Sequence, residues 1–194
     1  MGWKIREYSM SDYTGSNTPI DIRNLWQTPP EIAAALHDEF KFVLDVAASD
    51  QNHLYPNYFT EQNSGLTQSW SVPGLSGYCW CNPPYSDITP WVQKAADQNK
   101  YGSIGTVMLV PADMSVGWFR EALLSVSEVR IITCGRLSFV RADTKQPVNG
   151  NNKGSMLLIW RPVRSAVPVT TYVERDALMA YGRKLINSKL ESAA

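Results

Sequence analysis

The chain has 194 residues, 44% of them apolar and 19% charged, with a formal net charge of zero. Such a chain closes one substantial core, and its balance is neither that of a disordered segment nor that of a membrane span. The stretch Met1–Gly15 has no apolar signal-peptide core, and Cys79, Cys81 and Cys134 form neither a disulfide framework nor a metal-ligand spacing. His37 and His53 stand apart from each other and from carboxylates at ligand spacing, so the expectation is a cytoplasmic protein without a metal.

Residues 1–24 are polar, carry no hydrophobic period and read as an arm; a domain over 25–164 follows, then a helical extension over 165–194. Thr28-Pro29-Pro30-Glu31 has the form of a helix start, with Thr28 as N-cap and Glu31 completing a capping box. Ile32, Leu36 and Phe40 continue that helix at four-residue spacing, and a strand over 42–46 ends in Ala47-Ala48-Ser49. From Asp50 to Gly77 the chain is irregular, with Tyr55, Tyr58, Phe59 and Trp70 as anchors. The run Tyr78-Cys79-Trp80-Cys81 predicts a strand leading into Asn82-Pro83-Pro84-Tyr85, followed by a helix over 90–98.

A buried strand is expected over 104–110, a helix capped by Ser115, and strands over 129–133, 137–141 and 156–160. The last two are separated by polar residues, as in a hairpin, which makes the final strand antiparallel. A helix over 174–190 closes the chain despite Gly182. Alternating helices and strands predict an α/β fold with a mostly parallel sheet and an antiparallel last strand.

Charge is unevenly spread. Residues 130–164 hold seven Lys and Arg against one acid, whereas residues 1–129 hold seven against fourteen. A stretch with six more basic than acidic groups suits a solvated face and a phosphate-contacting one equally.

Asn82-Pro83-Pro84-Tyr85 carries the chemistry. Average residue usage yields this tetrapeptide by chance in only about one chain of this length in a thousand. It sits where a strand runs out at the carboxyl edge of the sheet, the edge at which such folds bind ligands. A planar amine delocalises its lone pair and attacks a methyl donor poorly. Two acceptors, the Asn82 side-chain oxygen and the Pro83 carbonyl, can hold both amine hydrogens and draw the nitrogen toward sp³ geometry. Consecutive prolines fix φ and bring no competing N–H, and Tyr85 offers a stacking face. A Pro-Pro turn with a packing tyrosine is the plainer alternative.

In order along the chain, Trp26-Gln27-Thr28-Pro29-Pro30, Leu44-Asp45-Val46-Ala47-Ala48-Ser49, Gly65-Leu66 before Trp70, Cys81 to Ser86, Leu109 to Ala112 and Gly135-Arg136-Leu137-Ser138-Phe139 resemble the phage-encoded Dam-type DNA N6-adenine methyltransferases. The resemblance implies a Rossmann-like methyltransferase fold, S-adenosylmethionine as methyl donor, and double-stranded DNA as partner with its target adenine flipped out. It makes Asn82, Pro83, Pro84 and Tyr85 the catalytic set and Phe139 a second wall of the base pocket. Trp26, Thr28, Pro29, Asp45, Ala47 and Ala48 fall to the donor, with Asp45 on its amino group. Asn63 stands near the base, and Arg136, Arg141 and Lys153 face phosphates.

The wider methyltransferase class carries a Gly-x-Gly turn where this chain has Ala47-Ala48-Ser49, and Asp50 and Glu61 are the nearby acids for a donor ribose. Asn-Pro-Pro-Tyr also occurs in enzymes that methylate glutamine side chains. A protein glutamine methyltransferase and a DNA-binding relative that has lost donor binding are therefore the competing readings.

Overall fold

The computed structural model describes residues 26–100, 104–141, 144–148, 153–163 and 167–192; the arm expected over 1–24 lies outside them. In chain order the elements are β1 (Trp26–Gln27), α1 (Pro30–Phe40), β2 (Phe42–Asp45), β3 (Tyr78–Cys81), α2 (Thr89–Asn99), β4 (Gly105–Pro111), α3 (Gly117–Ala122), β5 (Glu128–Thr133), β6 (Val140–Arg141), β7 (Ser155–Trp160), β8 (Val169–Glu174) and α4 (Arg175–Ser192).

Six strands form the central sheet in the order β2-β3-β4-β7-β5-β8, while β1 and β6 pair as a separate antiparallel ribbon. Strands β2, β3 and β4 run parallel, and β8 runs parallel to β5. Between β4 and β5 lies β7, antiparallel to both. Its six residues, Ser155-Met156-Leu157-Leu158-Ile159-Trp160, are all buried, as a strand flanked and covered on every side requires.

Alternation along the strands divides the core into two layers. Cys79, Cys81, Met108, Val110, Met156 and Leu158 face Val92 and Ala95 of α2 and Phe119 and Ala122 of α3. On the opposite face, Trp80, Val107, Leu109, Leu157 and Ile159 meet Ile32, Leu36 and Phe40 of α1, with Leu178 and Met179 of α4 at the margin. Each fully buried side chain of this size contributes about 1.5–3 kcal/mol of burial free energy, so the two layers hold the strand ends rigidly.

Several expectations are corrected. The sheet is mixed: three of its five strand pairings are parallel, and the two antiparallel ones are both made by β7. The antiparallel strand is an inner one, and β8 follows it in the chain. Val169–Glu174 is a strand that the sequence pattern does not announce, because its side chains are mostly exposed at the sheet edge and leave only a weak apolar alternation. Among the described residues 137–141 does not pair with 156–160. Leu137 and Phe139 are buried in the α1 layer, which pulls their segment off the sheet and leaves only Val140 and Arg141 to pair with β1.

Neither expected side-chain cap forms. Helix α1 is capped by Pro29 with no side-chain hydrogen bond, and α3 by Val116, while the Ser115 hydroxyl donates to Asp113 Oδ1 at 2.6 Å. The ring fixes the φ of Pro29 at −52° and the following Pro30 favours its extended ψ of 134°, so the chain enters α1 without a Thr28 cap.

Candidate active site

Parallel pairing of β2 with β3 brings the ends of both strands, and the residues that follow them, to one edge of the sheet. There Trp26, Thr28, Asp45, Ala47 and Asn82 line a small cleft together with Gln27, Asn52, Leu54 and Trp80. Strand β1 crosses the motif, and the Asn82 Nδ2 donates to the Trp26 carbonyl at 3.2 Å. The Asn82 Oδ1, Thr28 Oγ1 and Trp26 Nε1 atoms are buried without a hydrogen-bond partner among the described residues. Three orphaned polar atoms at one cleft are costly, each about 1–3 kcal/mol, and mark a site built to receive polar groups from outside.

Asp45 is 2% exposed and is the ionisable side chain in the lining of this cleft. Its Oδ2 accepts the Leu54 amide at 3.1 Å and its Oδ1 the Ala47 amide at 3.4 Å. Burial pushes its carboxyl up to about 7, and those two amide bonds only partly offset the effect. Among the described residues no cation forms an ion pair with it, so it is poised to take one from a ligand.

Pro83 is buried and Tyr85 half-buried. The Tyr85 ring meets Phe139 edge-on, with centroids 6.0 Å apart and planes at 82°, and Phe139 in turn stacks on Trp26 at 5.9 Å. Burial pushes the Tyr85 hydroxyl well above the usual phenol range, and that hydroxyl too has no partner among the described residues. Asn82, Tyr85, Phe139 and Trp26 thus form one connected group.

Other sequence-derived candidates stand elsewhere. The Ala48 amide donates to the Phe59 carbonyl at 3.0 Å and the Ser49 amide to Asn52 Oδ1 at 2.6 Å, so with the Ala47 amide on Asp45 all three amides of the Ala47-Ala48-Ser49 turn are engaged within the fold. Asn63 is exposed, and its Oδ1 accepts both the amide and the hydroxyl of Thr60, a local turn closure. Asp50 accepts the Tyr58 hydroxyl, and β2 stands at one edge of the sheet.

The basic stretch divides. Arg130 pairs with Glu39 and Glu128, and Arg161 with Glu128, close to where β5 begins and β7 ends, away from the cleft. Hydrogen bonds from Arg130, Thr171 and Arg161 hold the Glu128 carboxyl below its usual range against the opposing effect of burial. On the cleft's edge of the sheet lie Arg136, exposed just beyond β5, Arg141 in β6, and Lys153, whose Nζ is 3.0 Å from Asp113 Oδ2. Lys145 reaches the same region, donating to the Gln51 carbonyl at 3.0 Å and to Gln27 Oε1 at 3.4 Å. Gln27, Asn52 and Lys145 were not among the sequence candidates. Gln27 adjoins the Thr28-Pro29 signal, whereas Asn52 and Lys145 come near the cleft only through the fold.

Comparison with known proteins agrees with this geometry. The family profile described as DNA N-6-adenine-methyltransferase (Dam) matches residues 15–185. The chain is 35% identical over 184 residues to a DNA N-6-adenine-methyltransferase of Escherichia phage T1, covering 87% of this chain and 76% of that protein. It is 34% identical over 151 residues to one of Haemophilus phage HP1 (strain HP1c1), covering 77% and 85%. With the motif, its cleft and the match over most of its length in agreement, the chain belongs to the Dam family of DNA N-6-adenine-methyltransferases.

Proposed function

We propose that this protein transfers a methyl group from S-adenosylmethionine to N6 of an adenine extruded from double-stranded DNA, in the cytoplasm of a bacterial host and on a Rossmann-like framework. The observation that carries the reading is Asn82 Oδ1, a buried acceptor without a partner at the end of β3. The family's acceptor is adenine in DNA, which leaves nothing to favour a glutamine side chain.

The residues fit the donor. Asp45 answers a cationic amino group, and the orphaned Thr28 hydroxyl and Trp26 indole N–H offer polar contacts beside it. When bound, S-adenosylmethionine supplies an electrophilic methyl on a sulfonium. Asn82 Oδ1 and the Pro83 carbonyl take the two amine hydrogens, which localises the nitrogen lone pair. Tyr85 and Phe139 wall the base, and an aromatic contact of that kind contributes about 1–3 kcal/mol. Fixing the amine in place is the larger effect, since orientation of bound reactants can contribute roughly 7–11 kcal/mol. An adenine inside a stacked duplex cannot reach a buried acceptor, so extrusion is required. Arg136, Arg141 and Lys153 hold the phosphates near that edge.

The test is to express the protein in cells whose DNA carries no methylation and to sequence the modified bases. N6-methyladenine in a defined context supports the reading, and unmodified DNA removes it. In the same assay Asn82→Ala abolishes transfer while donor affinity, measured by calorimetry, stays within a few-fold.

A further inference from the structure

The hydrogen bond from Asn82 Nδ2 to the Trp26 carbonyl spans 56 positions of sequence and joins the motif to a strand outside the main sheet. An Asn side chain has one acceptor end and one donor end, and a carbonyl can be met only by the donor end. With Nδ2 committed to Trp26, Oδ1 is left toward the cleft, buried and unpaired. The reverse orientation sets two oxygens face to face and aims N–H groups at an amine that itself needs acceptors.

Trp26 is held firmly enough to serve this purpose. Its ring stacks on Phe139, its strand pairs with Val140 and Arg141, and the neighbouring Gln27 donates to the Asn52 carbonyl at 3.2 Å while accepting from Lys145. We propose that the main-chain carbonyl of Trp26 is the positioning group that fixes the orientation of the Asn82 amide, so that the β1–β6 ribbon completes the active site. The proposal rests on the reading that Asn82 Oδ1 accepts an amine hydrogen.

Asn82→Asp tests it. A carboxylate has no hydrogen for Trp26, whereas the protonated acid donates to that carbonyl and still offers an oxygen to the amine. Asp45 at the end of β2, Cys81 and Tyr85 on either side of Asn82, and Arg141 opposite Trp26 are common to both proteins, so the readout is the ratio of variant to wild-type kcat across pH 5.5 to 8.5. The expected ratio falls as the pH rises, approaching tenfold per unit above the pKa of the introduced carboxyl. A flat ratio, whether the variant is active or dead, overturns the proposal. If the variant does not fold, side-chain amide exchange of the wild type decides: one Asn82 Nδ2 proton is protected, and two freely exchanging protons refute the geometry. A wild type that methylates no adenine removes the underlying reading, while the exchange measurement still reports on the hydrogen bond.

Discussion

Gly182 of α4 lies so close to the carbonyl of Glu31 in the first turn of α1 that a Cβ at position 182 overlaps the backbone. This crossing fixes the start of α1, and with it Thr28 at the cleft. Gly182→Ala gains about 1 kcal/mol of helix propensity, but overpacking against rigid backbone costs about 1–3 kcal/mol, so the net effect is destabilising. Denaturant unfolding is expected to show a lower midpoint with an unchanged slope. A midpoint at or above that of the wild type shows that the helices separate at little cost.

Asp45 gives stability a definite pH dependence. Its carboxyl titrates at about 7 in the fold against about 4 unfolded, so between those values the unfolded chain alone releases the proton. Stability therefore falls as the pH rises from about 4 to 7, by about 1.4 kcal/mol per unit and on the order of 4 kcal/mol at most, and is flat on either side for this group. A side-chain amide cannot ionise, so Asp45→Asn removes the slope and narrows or reverses the deficit above pH 7. Unfolding free energies of both proteins at pH 5 and 8 check this, and equal slopes would assign the dependence to another group.

The core and the motif were legible in the sequence because both are local. Tyr78–Cys81 is a short, mostly apolar run, Asn82–Tyr85 follows without a break, and Ile32, Leu36 and Phe40 share one helix face. What could not be read depends on distant pairing. Val169–Glu174 looks like a linker until β5 lies beside it, and Leu137 and Phe139 look like strand residues until α1 claims them. Asn52 and Lys145 carry no local signal at all: the fold alone sets Asn52 in the cleft wall and brings Lys145 to Gln27 and Gln51.

Thr28 separates two roles that its sequence position had left merged. A capping Thr contributes typically about 1 kcal/mol, and its loss is felt as instability. Here the hydroxyl is buried, unpartnered and not a cap, so Thr28→Val keeps the shape and removes an unsatisfied group. Stability is expected to hold or rise slightly, while S-adenosylmethionine affinity falls by about fivefold to tenfold, the effect of losing one hydrogen bond. Thermal melting and calorimetry on the same sample check both halves. Instability with unchanged affinity would return Thr28 to a structural role.

The basic residues differ in how much each has left for a phosphate. Lys153 is already paired with Asp113, whose carboxyl is held down to about 2 by hydrogen bonds from Ser115 and Lys153, whereas Arg136 is exposed and forms no ion pair among the described residues. A cation bound to a carboxylate displaces fewer counterions from DNA, so the two substitutions are unequal. Arg136→Gln is expected to reduce the slope of log affinity against log salt by close to one, and Lys153→Gln by distinctly less. Titrations of a short duplex between about 50 and 200 mM salt measure both slopes. Equal slopes for the two variants would show that DNA separates Lys153 from Asp113. In that case Asp113→Asn is expected to tighten binding, since the lysine no longer has to leave a partner to reach a phosphate.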